Sequence, residues 1–215
     1  RKQVRMITEL NASTYAERLR DDMNRGVAIA DALKANIISG DGTIDNFEKV
    51  SENLMSDFVQ SIQIAPDGVV TEIYPAEGNE AGKIDLLHDE NRGEICRYGR
   101  DNKCVTMQGP FDLKQGGRGI VVRYPVYLEA ADGNPVFWGF TIVIIRVPEI
   151  FEESVQALTD FGYDYCLTKT VSPLSEERER LSFSKEDLTN PVTYTFEFGG
   201  CTFNLAVTPK DGWKQ

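Results

Sequence analysis

The chain has 215 residues, 41% hydrophobic and 10% aromatic, enough for a buried core in one large domain or two small ones. Its formal net charge of −11 repels a phosphate backbone and no local basic patch offsets it, so nucleic acid is set aside as a partner. The charge is uneven: residues 1 to 40 carry seven Lys+Arg and five Asp+Glu, which leaves −13 for the remainder. Arg1, Lys2 and Arg5 crowd the N-terminus, where they suit either anionic lipid headgroups or a solvated helix start.

Residues 4 to 39 read as one long helix, with Tyr15, Leu19, Met23, Val27, Ala30, Leu33 and Ile37 at intervals of three and four. At 1.5 Å per residue it is about 50 Å long, too long for one small domain to cover, so part of it is expected to project or to pair with another chain. The stripe is heptad-like and makes a parallel homodimer the expected assembly. A second helix is predicted from Thr43 or Asp45 to about Met55.

Residues 58 to 64 and 69 to 74 alternate as strands around the turn Pro66-Asp67-Gly68. A short helix follows over residues 89 to 100, acidic towards its start and basic towards its end. Strands are expected near 104 to 108, 119 to 128 and 136 to 146. The last is apolar on both faces and therefore central in its sheet. Pro148 and Glu149 open another short helix to about Leu158. The runs YDYCLT, VTYTFEF and CTFNLAV then predict a smaller second sheet, and residues 210 to 215 read as an exit linker.

No apolar run approaches the roughly 20 residues a spanning helix needs. The chain opens without Met or signal peptide on a helix already under way, which predicts a segment of a longer protein. Four cysteines carry no metal-site spacing. Cys96 with Cys104, and Cys166 with Cys201, are possible disulfides in an oxidising compartment; free buried thiols are the alternative.

Enzymatic motifs are lacking. Gly116, Gly117 and Gly119 precede a strand rather than open a helix, so they form a positive-φ loop and not a phosphate cradle. No calcium loop is spelled out, and no metal site or cofactor is expected. The only histidine, His88, stands beside Asp89 and Glu90 with no nucleophile to serve, and carboxylates in so acidic a chain do not by themselves point to a glycosidase. What residues 69 to 146 do offer is strands separated by Gly-rich and Pro-rich loops, a cup for a ligand.

The runs IYPAEGNEAGKIDLL, GPFDLKQGGRGIVVRYPVY and FWGFTIVII, in this order and spacing, resemble the CHASE family, extracytoplasmic sensor domains of histidine kinases and diguanylate cyclases. The resemblance is specific over residues 59 to 146. It implies an α+β fold: a stalk helix plus second helix (residues 1 to 57), a larger membrane-distal PAS-like module (58 to 147) and a smaller membrane-proximal one (148 to 209). Two transmembrane helices would flank these in the parent receptor. One departure is GKIDLL, where bacterial members often carry a Gly-His-Asp-Leu run.

By the same resemblance Asp85 matches an aspartate that hydrogen-bonds the ligand's heterocycle in plant hormone receptors; its other reading is a brace for the loop. Met107, Gln108 and Gln115 match positions lining the cup, with Met107 also fitting ordinary core. Tyr124, on the alternating face, either hydrogen-bonds a ligand or packs. The expected function is a non-enzymatic extracytoplasmic domain that senses a small organic molecule and signals through the stalk. The alternative is a ligand-independent dimerisation or partner-docking module.

Overall fold

A computed structural model describes residues 2–76 and 84–214. The first helix, α1 (Lys2–Ser39), is followed by α2 (Phe47–Leu54), β1 (Val59–Pro66), β2 (Glu72–Tyr74), a 3-10 turn (Leu86–His88) and α3 (Gly93–Asn102). β3 (Thr106–Asp112), β4 (Arg118–Glu129) and β5 (Pro135–Val147) complete an antiparallel sheet of order β2-β1-β5-β4-β3. After a second 3-10 turn (Glu149–Phe151) and α4 (Glu152–Asp160) come β6 (Tyr163–Thr170), β7 (Arg178–Phe183), β8 (Val192–Phe198) and β9 (Cys201–Pro209). These four form a second antiparallel sheet of order β7-β6-β9-β8.

The fold is α+β, a long helix followed by two antiparallel sheets. β5 is the middle strand of five, as its two apolar faces demand: Val143 and Ile145 look towards α1, and Phe140 and Ile142 look away from it. Asp67 and Gly68 both take positive φ, 54° and 84°, the geometry a tight hairpin turn needs. The second arm is shorter than expected. Its first residues are diverted to another partner, with Val70 N–H bonded to Ile84 O and Leu86 N–H to Gly68 O.

The expectation that part of α1 must project or pair with another chain is met along most of its length by the second sheet instead. Buried side chains run from Thr8 to Ile37, and the helix crosses both sheets in one continuous core. Its C-terminal half is fixed to β5 by the Thr141 hydroxyl, which donates to Ala30 O at 2.8 Å. Its N-terminal half lies on β8, β9 and α4, where Asn11 donates to the Tyr163 hydroxyl at 2.8 Å and Arg5 to Asn190 O at 3.1 Å. Gly26 allows this approach, since a Cβ there would meet Ile145 Cδ1 at 2.1 Å. Leu19 and Met23, the centre of the stripe, are spent inside the chain. Near the helix start Met6, Ile7 and Leu10 stay exposed. Among the described residues no helix is long and apolar enough to cross a membrane.

β3 is the seam between the sheets. Met107 N–H donates to Gly199 O at 2.9 Å and Gly109 N–H to Val171 O at 2.8 Å. Buried Lys169 of β6 sends its Nζ to Gly109 O and Thr170 O, both at 2.7 Å. β3 is edge strand to the first sheet and is capped by loops of the second, which leaves less open edge to pair with other chains.

Candidate functional site

Strand pairing places two rows of side chains on the face of the first sheet that looks away from α1. Gln63, Ile142 and Arg123 stand across β1, β5 and β4, and beside them run Ser61, Ile144, Val121 and Gln108. They floor a cavity of about 680 Å³, within the range of small-molecule sites. Leu86 and Ile95 wall one side, and Phe111 to Gln115 another. Val171 and Ser172 reach in from the second sheet, so both sheets contribute to the wall. A bulge in β3 between Gln108 and Phe111 turns the strand outward at the rim.

Arg123 is 3% exposed. One Nη donates to Gln108 Oε1 at 2.7 Å, and Gln108 Nε2 in turn donates to Asn91 O at 3.2 Å. Its Nε is buried with no acceptor, and among the described residues the guanidinium makes no ion pair. Burial pulls its pKa down, although arginine keeps its proton even so. The neighbouring Cys96 thiol is pushed up by burial and stays neutral. Asp89 is committed elsewhere: it accepts from the N–H groups of Asn91 and Arg92 and pairs with the Arg92 side chain at 3.1 Å. Burial opposes its charge, but these bonds and the Arg92 cation hold its carboxyl below the usual range.

The model of the CHASE domain matches residues 13–177, more than half of the chain. The chain belongs to the CHASE family. Solved structures similar to this CHASE domain share its fold at low identity. The extracellular ligand-binding receptor of Desulfohalobium retbaense is 13% identical with a TM-score of 0.63; the match covers 91% of this chain but 39% of that receptor, so the chain spans less than half of it. The ligand-binding domain of the Pseudomonas aeruginosa amino acid chemoreceptor PctC, in complex with GABA, is 12% identical with a TM-score of 0.51, covering 96% of each chain. That of the Campylobacter jejuni chemoreceptor Tlp3, in complex with 4-methylisoleucine, is 9% identical with a TM-score of 0.54, covering 98% of this chain and 90% of that one. No curated protein matches the chain significantly. This CHASE domain is an extracytoplasmic sensor domain.

Of the residues expected at the cup of this CHASE domain, Gln108 and Gln115 stand in the cavity wall. Asp85, Met107 and Tyr124 are not brought there. Asp85 turns outward, its Oδ2 2.8 Å from His88 Nδ1, while its neighbours Ile84 and Leu86 face in. Met107 and Tyr124 fall on the opposite face of the sheet by strand alternation. Met107 is fully buried in the core under α1, and Lys34 Nζ sits 4.6 Å from the Tyr124 ring centroid. Residues 77 to 83, the EGNEAGK part of the first resembling run, lie outside the described residues.

All four cysteines are free thiols, which corrects the two possible disulfides. Cys166 stands opposite Ala206, five residues from Cys201 and so about 17 Å along the strand, far beyond disulfide reach. Cys96 packs into the core beneath α3, whereas Cys104 lies past the helix end, partly exposed. Among the described residues no group of His, Cys, Asp and Glu is placed to hold a metal ion.

Arg123 is masked in the sequence by the apolar alternation of Ile120, Val122 and Tyr124 on the other face of the same strand. The signal was available. If β5 is covered on both faces, so is the second face of its neighbour β4, and a lone arginine there is a buried charge.

Proposed function

We propose that this CHASE domain senses a small organic molecule bound in the cavity on the first sheet. The single observation that carries the reading is the 680 Å³ cavity walled by both sheets, because a ligand touching Val171 and Ser172 as well as Gln108 acts on how the sheets meet. A ligand that favours one such arrangement shifts the population towards it; one that binds both equally transmits nothing. PctC and Tlp3, similar in fold, were solved with GABA and 4-methylisoleucine, which supports a small-molecule ligand here.

In this reading residues 58 to 147 are the membrane-distal module, 148 to 209 the proximal one, 1 to 57 the stalk with its second helix, and 210 to 215 the exit linker. The parent receptor is a diguanylate cyclase or histidine kinase whose cytoplasmic output follows the stalk. The receptor acts as a homodimer, with Met6, Ile7 and Leu10 at the helix start as the apolar residues left to pair. Gln108 and Gln115 contribute polar contacts to the ligand. A ligand-independent docking module calls for a filled cup, and the open cavity speaks against it.

A thermal-shift screen of amino acids, nucleobases and small acids tests this. At least one compound should raise the melting temperature of the wild type and leave Val121→Trp, whose indole intrudes on the cavity floor beside Arg123, unmoved. A silent screen, or a shift retained in Val121→Trp, overturns the reading.

A further inference from the structure

A guanidinium is almost never fully buried without a counter-ion, since the interior does not replace the water it loses. Arg123 is buried at the floor of the cavity, with Nε lacking an acceptor and no carboxylate paired to it among the described residues. Among the described residues the acidic groups whose charge reaches it are spent, and Asp112, the carboxylate in the cavity lining, does not pair with it. Asp89 is held by Arg92 and two backbone N–H groups, and Cys96 is kept neutral by burial. Gln108 answers only one Nη and is itself anchored to Asn91 O. Arg92, a second cation, also lines the cavity. Aliphatic side chains, Ile95, Ile142, Ile144 and Val121, share the floor and walls with the uncharged polar Ser61, Gln63 and Asn91.

We infer that the ligand is a small organic carboxylate, its anion seated against Arg123 and its apolar body against Ile95, Ile142 and Ile144. This rests on the cavity being the ligand site. The planar fork of an arginine suits a carboxylate in a way a point charge does not, and Gln108 fixes the orientation of the fork. An anion entering the cavity supplies the missing counter-charge, so it gains in a low-dielectric setting what it cannot gain in water. A neutral isostere finds the same aliphatic walls but leaves the guanidinium unanswered.

Calorimetric titration of matched pairs tests the assignment: isovalerate, benzoate, phenylacetate and indole-3-acetate, each against its primary amide. At least one carboxylate should bind the wild type, with its amide weaker by ~30-fold or more. Arg123→Met should lose the carboxylate by a similar factor while melting no lower than the wild type, because an unpaired buried charge has been removed. Gln108→Glu supplies an internal carboxylate to the same guanidinium, at the cost of the donor to Asn91 O, and should bind the carboxylate more weakly. Amides binding as tightly as acids, or unchanged affinity in both variants, overturns the assignment and leaves the cavity reading standing. Silence of both sets does the same if only compounds without a carboxylate, such as nucleobases, shift the wild type and not Val121→Trp. If those compounds are silent too, both fall.

Discussion

Gln108 Oε1 accepts a hydrogen bond from Arg123 at 2.7 Å, while the residues on either side of Gln108 are bonded through their backbone to the second sheet. The side chain that holds the cavity's arginine therefore belongs to the strand that joins the two sheets. Replacing Gln108 by Leu leaves one Arg123 Nη and Asn91 O without their partners. We expect a loss of about 1–3 kcal/mol, read from the urea midpoint. An unchanged midpoint would show that neither group depends on this bond.

Gly139 offers a sharper steric test. It stands opposite Pro66 where β1 meets β5, and a Cβ there would lie 2.1 Å from Ala65 O. The obstacle is backbone in a paired strand, which cannot rotate aside. Gly139→Ala should lower stability by ~1–3 kcal/mol or more, as overpacking does. A melting temperature equal to the wild type would mean that the strands separate more easily than their pairing suggests.

The two ends of the α1 stripe should behave differently. Met23 is fully buried, so Met23→Ala should cost ~2–5 kcal/mol. Leu10 is 67% exposed, and Leu10→Ser should leave the unfolding free energy within ~0.5 kcal/mol of wild type. If the helix start pairs two chains, the same Leu10 variant lowers the mass seen by light scattering. Equal thermal effects at the two positions would contradict the packing of α1.

Much of this architecture was legible from residue order. The two apolar faces of β5 forecast its central place, and Pro66-Asp67-Gly68 forecast a turn because those residues admit its dihedrals. The α1 stripe was visible, but periodicity says only that a face is covered and not by what; the second sheet, not a second chain, covers Leu19 and Met23. β7 escaped notice because RERLSF is a charged edge strand whose exposed side chains carry no apolar alternation. At the site, the resemblance named Gln108, which lines the cavity. A single step in strand parity separates it from Met107, and one residue likewise separates Asp85 from Ile84 and Leu86.

Lys169 should give the fold a pH dependence in the alkaline range. Burial depresses its pKa below the ordinary 10.5, partly countered by Cys201, whose Sγ lies 3.6 Å away. Between the depressed value and 10.5 the unfolded chain holds the proton more firmly than the folded one, so the contribution of this group to stability rises with pH. Below that window the folded state carries the full cost of the buried charge. The unfolding free energy of wild type relative to Lys169→Met should therefore shift in favour of wild type as the pH rises from neutrality towards 10.5. A constant difference would place the ammonium in a better-solvated setting.

Thiol chemistry checks the cysteines directly. Unreduced protein in denaturant should titrate all four as free, and in the native state Cys104 should react first, with Cys96, Cys166 and Cys201 shielded by burial. Fewer than four in denaturant would mean that a pair forms in spite of the separation.

The bond from Arg5 to Asn190 spans 185 positions of sequence, and the packing of α1 on β8 and β9 extends that closure along the helix. The first helix of the domain thus has half of its bed supplied by strands made after all that lies between them. Until β8 and β9 are in place, the N-terminal half of the helix keeps an apolar face in water, and such distant contacts form slowly. Completion of this domain therefore waits on β8 and β9, and deleting these two strands would strip the first helix as surely as cutting the helix itself.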